Sequence, residues 1–226
     1  MASDASAPGA PALTTYRDRE PWHSLALYRL FKWSIIVPAF YTYFKGRIEG
    51  LENVPKHGPF IAVSNHASDF DPPLLAASLG RPVAFMAKEE LFDVPLLKQG
   101  IQLYGAYPVR RGTGDRQALK AAMSFLEQGW GAGLFLDGTR TPDGRIADPK
   151  PGAAWIAAKM QVPLVPVCLW GTQNILIQGK GKPQSVPITV RIGKPIPAPA
   201  SSQRDLLVAV TQECADAIHA MHDLGR

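Results

Sequence analysis

The sequence predicts one α/β domain, a mixed or mostly parallel sheet with helices on both faces, preceded by an amphipathic, membrane-associating N-terminal helical segment. Three observations carry this reading. From about residue 46 onward, short apolar runs alternate with helix-period segments, the pattern of strands buried between helices. A chain of 226 residues that is 46% hydrophobic and 19% charged can bury one large core. The two cysteines, Cys168 and Cys214, lie far apart in no paired motif, which excludes a disulfide scaffold and a thiolate zinc site.

Residues 1–20 are rich in Ala, Pro and Ser and read as a disordered tail. They carry Asp4, Asp18 and Glu20 and no apolar stretch, so they do not read as a secretory signal. Residues 21–45 change character. Eight of the chain's twenty aromatic side chains fall between Trp22 and Phe44. On a helix, Leu27, Leu30, Phe31 and Ile35 share one face, with Arg29 and Lys32 opposite. The uncharged part, Trp33 to Phe44, is interrupted by Pro38 and is too short to span a bilayer. The expectation is a helix lying in the headgroup region of an anionic membrane, peripheral or monotopic on the cytoplasmic face. The same pattern also fits an N-terminal helix packed on the core.

Residues 46–226 form the expected domain. Phe60–Ser64, Val83–Ala87, Gly133–Leu136 and Val162–Leu169 read as strands, and Val186–Ile192 as an outer one. Pro72–Leu79 and Ala153–Met160 read as helices. Asp115–Gln128 is amphipathic, with Ala118, Leu119, Ala122, Met123 and Leu126 inward and Gly129 closing it. Ser202 with Asp205 resembles a capping box that opens a helix running to about Met221.

The net charge of +5, with a pI near 9.3, points to an anionic partner. No acidic residue occurs between Asp148 and Asp205, where Lys150, Lys159, Lys180, Lys182, Arg191, Lys194 and Arg204 fall. No nucleic-acid module accompanies this charge, and no phosphate loop of P-loop or dinucleotide type is present. His57, His219 and His222 lack companions at metal-ligand spacing, so no metal is expected.

Three clusters can do chemistry. Ser64 to Asp71 follows a buried strand, where sites collect in open α/β sheets. It holds His66 with two candidate acids, Asp69 and Asp71, and an imidazole beside a carboxylate is the minimal general-base pair. Asp71 before Pro72 also fits a helix N-cap. Gly105 to Gly112 sets Arg110 and Arg111 beside glycines, a pairing that suits phosphate. Phe135 to Thr141 repeats the logic with Asp137, Gly138, Thr139 and Arg140 at a strand end. Together they suggest an anionic substrate held over a base.

In this order the clusters resemble the PlsC-type glycerolipid acyltransferases, which include the 1-acylglycerol-3-phosphate acyltransferases. The family's first block, Asn-His with Asp five residues beyond the His, is matched by Asn65, His66 and Asp71. Its second, Gly followed six residues later by Arg, resembles Gly105 to Arg111. Its third, Phe-Pro-Glu-Gly-Thr-Arg-Ser, is similar to Phe135–Thr141, with Leu136, Asp137 and Thr141 as departures. Val165-Pro166-Val167 resembles the fourth, and Lys88 to Leu91 a lysine-containing stretch between the first two. The likeness covers roughly residues 46–200.

The resemblance implies transfer of a fatty acyl group from a thioester to the hydroxyl of a lysophospholipid, giving phosphatidate if the acceptor is 1-acyl-sn-glycerol 3-phosphate. It implies His66 as base and Asp71 as its orienting acid. Lys88, Arg111 and Arg140 would hold the acceptor phosphate, and Asp137, Gly138 and Thr139 would shape its pocket. No cofactor is implied beyond acyl-carrier protein or coenzyme A as the donor's carrier. Another lysolipid or an amino-acid lipid as acceptor, or a non-catalytic lipid-binding protein of this fold, are the alternatives.

Overall fold

A computed structural model describes residues 26, 29–30, 32–88, 93, 106–109, 116–176 and 182–226. Seven strands form one sheet: β1 (Arg47–Glu49), β2 (Phe60–Ser64), β3 (Val83–Lys88), β4 (Ala106–Val109), β5 (Gly131–Phe135), β6 (Leu164–Trp170) and β7 (Thr189–Ile192). Their spatial order is β1-β7-β6-β2-β5-β3-β4. Every neighbouring pair is parallel except β6 and β7, which run antiparallel. The described helices are α1 (Asp71–Ser78), α2 (Arg116–Glu127), α3 (Gly152–Met160) and α4 (Arg204–Asp223). Helices α2, α3 and α4 pack in series on one face of the sheet, while α1 and the N-terminal helical turns cover the other. This is the mixed, mostly parallel α/β sheet that the alternating pattern predicts.

Both strands absent from the expectation lie at sheet edges. β1 is three residues long, and β4 contains Pro108, whose missing N–H weakens the strand signal in the sequence. The central strands β2 and β6 are buried along their length, as expected of strands covered on both faces. The predicted capping box does not form. Helix α4 begins at Arg204 with Gln203 at its N-cap and no side-chain cap, while Ser201 Oγ accepts a bond from the Gln203 N–H.

The N-terminal segment divides between two environments. Residues 32–43 form two π-helical turns, Lys32–Ile36 and Ala39–Tyr43, on either side of Pro38, which brings no N–H to the helical ladder. Phe40 and Phe44 are buried in the same core as the sheet. A Cβ on Gly46 would sit 2.3 Å from the Phe40 ring, so only glycine allows that approach. The Ile188 N–H donates to the Phe44 carbonyl at 3.1 Å, tying the segment to the strand that follows. Leu30, Trp33, Ile35, Tyr41 and Tyr43 nevertheless remain exposed, Trp33 to 65%. Lys32, expected on a solvated face, is only 5% exposed. No helix among the described residues is long and apolar enough to cross a membrane.

The basic run from Lys150 to Arg204 is likewise not one solvated face. Arg191 is buried, pairs with Glu49 at 2.8 Å, and donates to the Met221 and Gly225 carbonyls at the end of α4. Its charge fastens the last helix to β7. Cys168 and Cys214 are free and buried, and burial pushes both thiols up to about 12, so neither is a nucleophile.

Candidate active site

Topology brings the sequence clusters to one edge. β2 lies between β5 and β6, with Ser64 opposite Phe135 and Val167. Parallel strands end on the same side, so the turns after β2 and β5 must meet there. β3 and β4 extend this edge, with Lys88 opposite Val109. That is the carboxyl-end crevice where ligands bind in such sheets.

The structure resolves the competition between the two acids. Asp71 Oδ2 lies 2.8 Å from His66 Nδ1 and also accepts the Ala67 and Ser68 N–H groups, at 2.6 and 2.7 Å. The residues from His66 to Asp71 thus wrap around one carboxylate oxygen. Asp71 is the first residue of α1 rather than its cap, with Phe70 at the N-cap position. Pro72 and Pro73 need no capping acceptor, so the carboxylate turns backward to the imidazole. The other oxygen, Oδ1, is buried without a hydrogen-bond partner among the described residues. A carboxylate that already takes two N–H groups accepts a third donor, so Nδ1 carries the proton and Nε2 keeps its lone pair.

Neighbouring strands lock the imidazole. The Phe135 ring stacks on it, with centroids 4.1 Å apart and planes at 17°. The Thr141 N–H and Oγ1 both donate to the His66 carbonyl, at 2.8 and 3.2 Å. Asn65 is the second clamp. Its Nδ2 donates to the Gly144 and Leu169 carbonyls, at 2.7 and 3.0 Å, and its Oδ1 accepts the Leu169 N–H at 2.8 Å. It ties the His66 turn to β6 and to the loop after β5. His66 and Asp71 are both buried, Asp71 completely. The fixed ring, its tautomer and its dry surroundings suit a general base.

The third cluster forms the turn after β5. Asp137 is buried and its Oδ1 accepts the Ala147 and Asp148 N–H groups, at 3.0 and 2.7 Å. It therefore closes the loop over 137–148 on itself. Gly138, at φ 65°, is exposed, and a Cβ there would meet nothing within 4 Å, so glycine serves the backbone turn. Thr139 is exposed beside it. Arg140 Nη1 donates to Asp69 Oδ2 at 2.5 Å, which gives the second acid its own partner. The guanidinium is held by one nitrogen and is a third exposed, so its other donors can meet a ligand.

Lys88 ends β3 at the same edge, but its side chain lies outside the described residues, as do Arg110 and Arg111. Phe135 and Thr141 support the site, yet sequence reasoning assigned neither a role, and Asp69, weighed there as a partner for His66, pairs with Arg140 instead. The signal for Phe135 was available: it ends the strand next to the one that leads to His66. No group of three or more potential metal ligands occurs among the described residues.

A buried His–Asp pair thus stands at the carboxyl edge with an arginine close by, the geometry of a base next to a cationic side chain. The acyltransferase family model matches residues 45–170, and the chain belongs to that family. A chloroplastic 1-acyl-sn-glycerol-3-phosphate acyltransferase of Brassica napus is 37% identical over 173 residues, 75% of this chain and 49% of its own. One from Arabidopsis thaliana is 37% identical over 162 residues, 70% of this chain and 45% of its own. The chain thus spans about half the length of these curated relatives. The crystal structure of PlsC, the 1-acyl-sn-glycerophosphate acyltransferase of Thermotoga maritima, superposes with a TM-score of 0.71 at 28% identity. That match covers 91% of this chain and 81% of the other.

Proposed function

We propose that the protein transfers a fatty acyl group from an acyl thioester to the free hydroxyl of 1-acyl-sn-glycerol 3-phosphate, yielding phosphatidate. The observation that carries this is the His66–Asp71 pair, 2.8 Å apart, with Nε2 as the remaining basic atom. His66 Nε2 takes the hydroxyl proton as the oxygen attacks the thioester carbonyl. The tetrahedral intermediate collapses with loss of the thiolate, which receives the proton back from the imidazolium. Asp71 stabilises that imidazolium and holds the ring in place. No acyl-enzyme forms, because the acceptor oxygen itself is the nucleophile. The activities named for the relatives support this reading.

Arg140, steadied by Asp69, supplies donors to the acceptor phosphate, with Lys88 and Arg111 completing the cradle. Asp137 contributes by fixing the loop that presents Gly138, Thr139 and Arg140. The donor is acyl-carrier protein or coenzyme A thioester, with no further cofactor. In this reading the protein is peripheral or monotopic on the cytoplasmic side of a membrane, which the exposed Leu30, Trp33, Ile35 and Tyr41 support. Residues 21–45 serve as the interfacial segment and 46–226 as the catalytic domain.

One observation favours keeping a different acceptor in view: Asp137 stands where the related block has Glu, and while its Oδ1 is held by its own loop, its Oδ2 is buried without a hydrogen-bond partner among the described residues. A labelled acyl thioester offered against a panel of lysolipids tests the proposal. Product from 1-acyl-sn-glycerol 3-phosphate above all other acceptors supports it. Preference for a different lysolipid or an amino-acid lipid changes the substrate, and no product from any acceptor points to lipid binding without catalysis.

A further inference from the structure

At the end of the sheet opposite His66, a cavity of about 200 Å³ lies between the N-terminal helical turns, the end of α1 and β1. Its lining holds three cations, Arg29, Lys32 and Arg81, and no acidic residue among the described ones. Arg81 is committed to the fold, donating to the Pro55 and Gly58 carbonyls at 2.7 Å each. Lys32 differs. It is 5% exposed and has no hydrogen-bond or ion-pair partner among the described residues. Val37, Phe40, Ile48 and Leu51 supply apolar wall around it. Trp33 and Tyr41, each more than half exposed, stand at the mouth.

A buried ammonium without a counter-charge is costly. Burial pushes Lys32 down to about 8, so at neutral pH it remains a cation with no counter-charge among the described residues. The walls exclude water from one side, and Arg29 adds a second, exposed charge at the entrance. An anion entering here would relieve the cost. The exposed aromatics at the mouth indicate where that anion comes from, since Trp and Tyr settle at the level of lipid headgroups. The volume admits a headgroup but not a whole two-chain lipid, so the tails would stay outside, beside Trp33 and Leu30.

We propose that this cavity is a second lipid site, separate from the catalytic one, in which the phosphate of a single anionic phospholipid pairs with Lys32 and Arg29. The site docks the protein on anionic bilayer and seats the N-terminal turns against α1. The lipid as source rests on the membrane reading given above; the anion site itself does not.

The full-length protein, titrated with water-soluble dihexanoyl phosphatidylglycerol and followed by thermal unfolding, tests this. At about 100 times Kd the melting temperature should rise by roughly 5–10 °C. The rise should vanish in Lys32→Met, which removes the charge and keeps the bulk, and should shrink in Arg29→Gln, an exposed change that leaves the fold alone. It should persist in Arg140→Ala, which separates this cavity from the catalytic site and from the acyltransferase reading. Inorganic phosphate should give a much smaller shift, and dihexanoyl phosphatidylcholine less than phosphatidylglycerol. An unaltered shift in Lys32→Met, or its loss in Arg140→Ala alone, overturns the proposal. A shift as large with inorganic phosphate overturns the lipid as its ligand. Vesicles of phosphatidylcholine with phosphatidylglycerol that bind neither wild type nor Lys32→Met overturn the membrane source.

Discussion

Two aspartates two residues apart do different work in the site, and the difference is a matter of direction. Asp71 faces back into the turn and meets His66; Asp69 faces out and meets Arg140. Asp71→Asn should therefore lower kcat by about 10²-fold or more, since a neutral amide cannot support the imidazolium. Asp69→Asn should act mainly on the acceptor KM, by loosening Arg140, and the exposed pair contributes at most about 1 kcal/mol to stability. Steady-state kinetics of the two variants check this, and the reverse ranking would show that the orienting acid has been misassigned. Asn65→Ala should cost both stability and rate, because the buried Leu169 N–H loses its acceptor, a penalty of about 1–3 kcal/mol. Chemical denaturation together with kcat measures it. The His–acid pairing was legible in the sequence as two alternatives. What selected between them was the wrapping of the Ala67 and Ser68 N–H groups around one oxygen, a backbone geometry that composition does not encode.

Among the elements, those with strong periodicity or continuous apolar runs were readable: β2, β6, α2 and α3 fall within two residues of their expected bounds. The elements missed, β1 and β4, take their stability from a neighbour rather than from their own residues. The N-terminal segment mixes both cases. Its aromatics are periodic enough to predict a helix, but periodicity alone does not say which face meets protein and which meets lipid. The structure buries Phe40 and Phe44 and leaves Trp33 exposed. Phe40→Ala should therefore destabilise the fold by about 3–5 kcal/mol. Trp33→Ala should leave stability within about 0.5 kcal/mol and weaken sedimentation with anionic vesicles. Equal loss of stability in both would show that Trp33 belongs to the core. A deletion of residues 1–44 would remove Phe40 and Phe44 with the exposed aromatics, so point variants separate the two roles where that truncation cannot.

For the whole molecule, the sheet order is what brings the clusters after β2 and β5 into one site, and strand order is not written in any single segment. Alternation predicted parallel strands; that β5 and β6 flank β2 came only with the fold. The overall positive charge was readable, but its distribution was not, since Arg191 serves as a buried brace and Lys32 is a buried cation with no partner among the described residues. Lys32 makes stability depend on pH. Its pKa falls from 10.5 to about 8 in the folded state. Between those values the unfolded chain holds the proton more tightly, so stability rises as pH rises through that window. The penalty is fully present below about pH 8 and is on the order of 3 kcal/mol. Lys32→Met should accordingly melt higher than wild type at pH 7, with the gap closing towards pH 10. A gap that does not change with pH would mean that the ammonium is solvated.

In the proposed reaction His66 Nε2 takes the proton of the acceptor hydroxyl while Asp71 holds the ring. The most direct measurement is turnover of labelled acyl thioester with 1-acyl-sn-glycerol 3-phosphate by wild type and by His66→Ala, with unfolding curves recorded for both proteins. General-base catalysis contributes about 10²–10⁴-fold, and positioning by the stacked ring adds to it. A loss of at least that size is expected in a variant that still unfolds cooperatively. Near-normal phosphatidate formation by folded His66→Ala would contradict it.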